Sequence, residues 1–313
     1  MPSGIKYITS FPPTEGIKYN EELWHSQHGH AFVIIDCKAS NIFYPEHWTP
    51  LSIKCAFRGK EFYKLKNTTY AVNDQNFLVL NEGTIYSSYI LSDTLTESFT
   101  LNFTQRNLQV LSTVEHSSEN MLLDDPFTLK NGASTFVQKL YSYSAVLDGL
   151  ILKLKECCLT HNQDTLRVYE LLYLLLKELF RLNDLSSDEA DTIRARKKST
   201  REELYKRLNI AKDYLSSCYQ DTISLDSVAA ACHLNACYLL REFKKFYKIT
   251  PHQYLTSIRL KEAKRLLENS DKTISQIVHE IGLQDSASFS KLFRKQFGVS
   301  PSTFKKSTPT GTN

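Results

Sequence analysis

Apolar residues are distributed along this chain in two different rhythms. Between about residues 30 and 115 they come in short bursts: AFVIID (31–36), LSIKCAF (51–57), TTYAV (68–72), NFLVL (76–80) and ESFTLNF (97–103). Turn formers separate several of them, at Arg58-Gly59, Asn73-Asp74 and Asn81-Glu82-Gly83. Short runs with tight connections predict strands of a sandwich or barrel. After Pro126 the rhythm lengthens, and 134–158 and 164–182 read as helices. The second contains LRVYELLYLLLKELFRL, too apolar for a helix with one wet face. It predicts packing on the strands and on a second subunit. Residues 183–200 are polar and charged and read as a linker. From 201 to 306 the pattern is helical with short breaks, followed by a polar tail at 307–313.

The last third repeats itself. FKKFYKITPHQYL (243–255) answers FRKQFGVSPSTFK (293–305) at an offset of 50 residues, and LDSVAAACHL (225–234) answers SQIVHEIGL (275–283) at 49. One extra residue in the second turn accounts for the slip. Each half reads as helix, turn, helix. In the first, Leu225, Val228, Ala229 and Cys232 share a face. His233-Leu234-Asn235 turns the chain, and a helix from about 236 to 247 faces inward with Leu239, Phe243 and Phe246. In the second, Ile274, Ile277, Val278 and Ile281 form the first helix. Gly282 sits where a left-handed backbone is needed, Asp285 or Ser286 caps the next helix, and Phe289, Phe293 and Phe297 face the core. Between the halves, 251–268 predicts a helix of roughly 27 Å, striped by Leu255, Ile258, Ala263, Leu266 and Leu267. That suits a spacer for two reading helices one DNA turn, roughly 34 Å, apart.

Charge sharpens this picture. The chain carries a formal +4, but residues 201–306 hold 18 Lys or Arg against 11 Asp or Glu, and the remainder 20 against 23. A near-neutral part is joined to a basic one, which points to a polyanionic partner. A second helix of such a unit enters the major groove with polar or small residues at its N-terminal end. Those are Cys237, Tyr238, Leu240 and Arg241 in the first half, and Ser286, Ala287, Ser288 and Lys291 in the second. Arg241 is the best donor to guanine, and Lys291 suits guanine or a phosphate. Lys244, Lys245, Arg294 and Lys295 are placed for phosphates. A plain helical bundle with a solvated basic face is the alternative, disfavoured because the whole pattern is duplicated in order.

Residues 203–306 resemble the AraC/XylS-type transcription regulators. The resemblance rests on IRLKEAKRLL (258–267), on YLLREFKKFYKITPHQYL (238–255) and above all on the stretch 274–304 with its IVHEIGLQDSASFSKLFRKQFGVSPSTF core. It implies two helix-turn-helix units joined by a long helix, with bases read by Cys237, Leu240 and Arg241 and by Ser286, Ala287, Ser288 and Lys291. Three departures matter: His233 replaces a common glycine, Lys248 stands where the second half has Gly298, and Cys237 and Leu240 are poor hydrogen-bonding partners for bases. The first unit is therefore expected to make fewer direct base contacts than the second.

The resemblance also implies a cupin-like β-barrel in front, followed by dimerising helices. The expected fold class is thus α+β: a barrel with packed helices over 1–182 (β-rich to about 125, helical 134–182) as effector-binding and dimerisation domain, then an all-α DNA-binding domain over 201–306. The expected function is a sequence-specific double-stranded DNA-binding transcription regulator, an activator in preference to a repressor, under small-molecule control, with RNA polymerase as a further partner. Two alternatives are an interaction protein whose helix-turn-helix domain no longer reads DNA, and an enzyme fused to such a domain. The PCHR setting of DNA-repair alkyltransferases is missing.

No apolar run is long enough to cross a membrane and no signal-peptide core is present, so a cytoplasmic protein is expected. Seven cysteines match no disulfide framework and read as buried thiols. HSQHGH (25–30) offers His28 and His30 on one strand face, but without late-strand partners, so neither a metal nor any other cofactor is expected, and no catalytic constellation emerges. Aromatics between 43 and 89 are numerous enough for some to line a pocket.

Overall fold

The computed structural model describes residues 4–11, 21–29, 31–66, 68–104, 108, 135–159 and 164–307. The chain divides into two compact units, Met1–Lys206 and Arg207–Asn313. Pro126 and the chain around it lie outside the described residues.

The first unit is an eight-stranded sheet with helices. Its strands are β1 (Ile5–Ile8), β2 (Phe32–Thr49), β3 (Leu51–Phe57), β4 (Glu61–Leu65), β5 (Thr68–Val72), β6 (Asn76–Leu80), β7 (Thr84–Phe103) and β8 (Leu140–Ser142); its helices include α1 (Glu21–His28), α2 (Ala145–Leu159) and α3 (Thr165–Asp191). The hydrogen-bonded order is β1-β2-β7-β3-β6-β8, with β4 pairing β5 and β7. The long strands β2 and β7 form the spine. The second half of β7 pairs β3, with Leu51 opposite Phe103 and Phe57 opposite Glu97, and its first half pairs β4, with Phe62 opposite Tyr89.

This sheet corrects the expectation of a cupin-like barrel. A barrel has no edges, whereas here the path begins at β1, which pairs with β2, and ends at β8, which pairs with β6; no pairing among the described residues joins the two ends. The sheet is open. Its apolar face is closed off by helices instead. Alternation puts Phe32, Ile34, Ile53, Cys55, Phe99, Leu101 and Phe103 on that face, against Leu147, Ile151 and Leu154 of α2 and Val168, Leu172, Leu175 and Leu179 of α3. Lys155 of α2 pairs with Glu97 at 2.9 Å, both largely buried, and its ammonium lies 4.0 Å from the Phe57 ring centroid.

Two further expectations shift. Residues 134–144 are not helical where they are described: they carry β8, and α2 starts at Ala145. The leucine-rich stretch lies in α3 and packs on the strands as expected, with Leu166 and Leu174 as its exposed large apolar residues. Within 183–200, α3 continues to Asp191 and α4 (Lys198–Ser217) begins, so only 192–197 is non-helical.

The second unit is all α. It contains the end of α4, then α5 (Leu225–Ala231), α6 (Ala236–Tyr247), α7 (Pro251–Asn269), α8 (Ile274–Glu280), α9 (Ser286–Phe297) and α10 (Pro301–Ser307). Caps write these boundaries. Ser224, Thr250 and Thr273 form capping boxes with Ser227, Gln253 and Gln276, which satisfies two end amides at once. Asn235 and Asp285 each accept from two backbone amides at the starts of α6 and α9. No described helix in either unit is long and apolar enough to cross a membrane.

The two turns are one design. In the first, His233 N–H donates to Ala230 and Leu234 N–H to Ala229; in the second, Gly282 N–H donates to His279 and Leu283 N–H to Val278. This is the Schellman pattern, whose key residue is left-handed. His233 has φ +54° and Gly282 φ +75°. Gln284 is the additional residue before the second cap, so the offset slips there. At Gly282 a Cβ would fall 2.4 Å from the Gln220 carbonyl oxygen. Gly282→Ala should therefore destabilise the second unit by about 2 kcal/mol or more, whereas His233→Gly should stabilise it by up to ~1 kcal/mol. Thermal unfolding followed by circular dichroism at 222 nm checks both signs.

Candidate nucleic-acid interface

A 12-residue helix is marginal alone, so α6 and α9 are held by one face. In α6, Leu239 and Phe243 are fully buried, and Phe243 packs at a tilt against Tyr247 (4.6 Å between centroids) and edge-on against Tyr254 (5.9 Å). In α9, Phe289 and Phe293 are fully buried against Leu260, Ala263, Leu266 and Leu267 of α7. The opposite faces are exposed. They carry Cys237, Tyr238, Leu240 and Arg241 on one helix, and Ser286, Ala287, Ser288 and Lys291 on the other. Lys244, Lys245, Arg294 and Lys295 are exposed too, in the last turns, where cations also complement the helix dipole. Hydrogen bonds from Ser288 and from the Ala287 and Ser288 amides hold the Asp285 carboxyl below its usual range, with Lys291 adding to the effect.

Sequence reasoning missed a partner inside this surface. Glu242 accepts from Arg241 Nε at 2.9 Å and sits 3.6 Å from Lys245 Nζ. The Arg241 guanidinium also lies over the Tyr238 ring, 5.0 Å from its centroid. The signal was present in the Glu242–Lys245 spacing, but the adjacent pair was not legible, since neighbours on a helix do not face each other by default. Phe246, expected inward, is half-buried and packs edge-on against Tyr247. His233 and Lys248 both adopt left-handed backbone, which costs a non-glycine residue of order 1 kcal/mol. The His233 carbonyl accepts from Arg207 at 2.7 Å.

The chain matches a family model described as a helix-turn-helix domain over residues 228–307. It is 27% identical to the Msm operon regulatory protein of Streptococcus mutans, over 55% of this chain and 61% of that protein. It is 25% identical to the raffinose operon transcriptional regulatory protein RafR of Pediococcus pentosaceus, over 79% of this chain and 98% of that one. A 36% identity to the HTH-type transcriptional activator RhaS of Escherichia coli spans 30% of this chain and 34% of RhaS. The chain thus covers less than two thirds of the first and third of these relatives.

Residues 228–307 thus carry a helix-turn-helix domain similar to those of known transcription regulators. The stretch 274–304 spans α8, the turn, α9 and the start of α10, so it forms the second helix-turn-helix unit with its supporting core.

The first unit contains a different kind of site, a cavity on the sheet face turned away from α2 and α3. About 660 Å³ of open space, mouth included, is bordered by Tyr44, His47 and Trp48 of β2, Lys54 of β3, Glu61 and Tyr63 of β4, Tyr86 of β7 and Trp24 of α1. Alternation explains the lining: Ser98, Thr100 and Asn102 face it while Phe99, Leu101 and Phe103 face the helices. Lys54 is buried and donates to Tyr86 Oη at 2.8 Å. Glu61 Oε2 and Trp24 Nε1 have no hydrogen-bond partner among the described residues. Burial pulls His47 down to about 4 and pushes Glu61 up. His28 lies on α1 rather than a strand, His30 is outside the described residues, and no group of three or more metal-ligating side chains gathers among the described residues.

Burial lowers the Lys54 ammonium to about 8, opposed by Glu61. The unfolded chain, with an ordinary lysine, binds the extra proton between about pH 8 and 10.5. Stability must rise with pH across that window, by up to about 3 kcal/mol. Lys54→Met should lack this rise; the difference between the two proteins' denaturation midpoints from pH 7.5 to 10.5 measures it.

Proposed function

We propose that this protein is a sequence-specific double-stranded DNA-binding transcription regulator whose two reading helices are α6 and α9. The observation that carries the reading is the duplication of one surface. Two 12-residue helices, each capped by Asn or Asp, bury an aromatic face and expose small, polar and basic residues opposite. Arg241 and Lys291 sit at equivalent places one turn into each helix and supply the donors to base edges. Lys244, Lys245, Arg294 and Lys295 grip phosphates and fix register. The α7 helix, at 19 residues about 28 Å long, spaces the two units for successive major grooves on one face of the duplex.

The first unit supplies control. A small molecule enters the cavity over β2, β3, β4 and β7, stacking on Trp48, Tyr44 or Tyr86 and hydrogen-bonding to Glu61 and Trp24. Aromatic faces beside a carboxylate, hydroxyls and an amide suit an uncharged, polyhydroxylated ligand, in keeping with the raffinose operon regulator among the relatives. The protein acts as a homodimer in the cytoplasm, binds two half-sites and activates transcription in contact with RNA polymerase; RhaS, a relative, is an activator.

Recovery of bound genomic fragments followed by footprinting tests this. Two protected half-sites are expected. Arg241→Ala or Lys291→Ala should cost ~1–3 kcal/mol at one base pair per half-site. Lys244→Ala and Arg294→Ala should instead weaken all sequences alike, each lowering the salt slope by about 1. A full-length protein that recovers no selective fragment, with or without a sugar panel, sinks the proposal. Trp48→Ala should abolish any ligand response while leaving basal DNA affinity unchanged, read by titration of the labelled site.

A further inference from the structure

The two reading helices differ at one position that changes what their cations can do. Under the 50-residue offset, Arg241 corresponds to Lys291 and Glu242 to Leu292. The sequence of α6 contains one carboxylate, Glu242, and that of α9 contains none. Glu242 is well placed to matter. Its side chain is only 11% exposed, and it touches both Arg241 Nε and, more distantly, Lys245 Nζ. Arg241 itself is 68% exposed, so the pair adds little to stability.

Its effect is on what Arg241 presents to DNA. With Nε taken by Glu242 and the guanidinium held over the Tyr238 ring, the remaining edge of the fork is the Nη1–Nη2 pair. Two parallel N–H groups in one plane match guanine O6 and N7. An untethered arginine on a groove-facing helix has a second choice, the nearest phosphate, which carries no sequence information. Glu242 penalises that choice twice: reaching a phosphate breaks the pair, and the carboxylate repels the phosphate. Lys291 is followed by Leu292, and the carboxylate it senses is that of the capping Asp285, which the Ala287 and Ser288 amides already engage.

We propose that Glu242 is a specificity-determining positioning residue: it orients Arg241 for guanine and withholds Arg241 from phosphates. This rests on the reading of α6 as a DNA-contacting helix. It also gives the first unit, with its few polar base-reading side chains, one strongly selective contact.

The test uses full-length protein and a duplex library varied across the footprint, at several salt concentrations. Glu242→Gln keeps size and hydrogen-bonding capacity but removes the charge. Discrimination should fall about three-fold or more at the base pair read by Arg241 and nowhere else. Affinity for unrelated duplex should rise, with the salt slope steeper by roughly 1. A role in packing alone would weaken every sequence equally. The converse variant, Leu292→Glu, places the carboxylate beside Lys291 at a position already 36% exposed. It should make the salt slope shallower and lower affinity for unrelated duplex by roughly two- to ten-fold. Unchanged selectivity and salt slope in Glu242→Gln, or a fall spread evenly over all positions, overturns the proposal. A wild-type protein that selects no sequence sinks the DNA-reading assignment as well; a selective wild type beside an indifferent Glu242→Gln sinks this inference alone.

Discussion

A helix that enters a DNA groove must leave one face bare, so whatever holds it has to act through the other face. In this protein α6 and α9 are each held from one side, by a few aromatic side chains. Phe243 is wedged between Tyr247 and Tyr254, and Phe289 and Phe293 are sunk into the seam of α7. Complete burial of a phenylalanine is worth roughly 1.5–3 kcal/mol, which is enough to fix a short helix whose outward residues contribute nothing to the core. Because the anchoring is on one side and the chemistry on the other, the outward residues are at liberty to differ between the halves, as Arg241-Glu242 and Lys291-Leu292 do.

The second unit was largely readable from its residues. Helical period, caps and aromatic stripe all coincide in α5 to α9, and agreement of independent local signals is what specifies a structure. Even the one-residue slip in the repeat has a physical seat at Gln284. What escaped notice there was the Arg241–Glu242 pair, because adjacent side chains meet through their rotamers and not through helical spacing.

The first unit was read less well, for reasons that lie in the physics of sheets. Period-two alternation reports that a strand has a buried face, and it is silent on whether the last strand finds the first. TTYAV and NFLVL marked β5 and β6, but polar stretches hid the full lengths of β2 and β7, and β8 falls where a helix was expected. Lys54 and Glu61 could be seen in the sequence only as ordinary charges. Their burial, and the convergence of Trp24, Tyr44, Trp48 and Tyr86 around them, exist only once four strands have been aligned.

The turn at Gly282 ties distant parts of the second unit together. The Gln220 carbonyl occupies the space a side chain would need there, and Arg259 of α7 donates to the carbonyls of Tyr219 and Asp221 on either side. The segment leading into the first half is thus seated on the hinge of the second. Although the unit is built on a repeated pattern, its halves are not interchangeable parts. The outward faces of α6 and α9 stand clear of this seam, so a substitution there leaves the scaffold in place, whereas one at the seam must displace a backbone carbonyl.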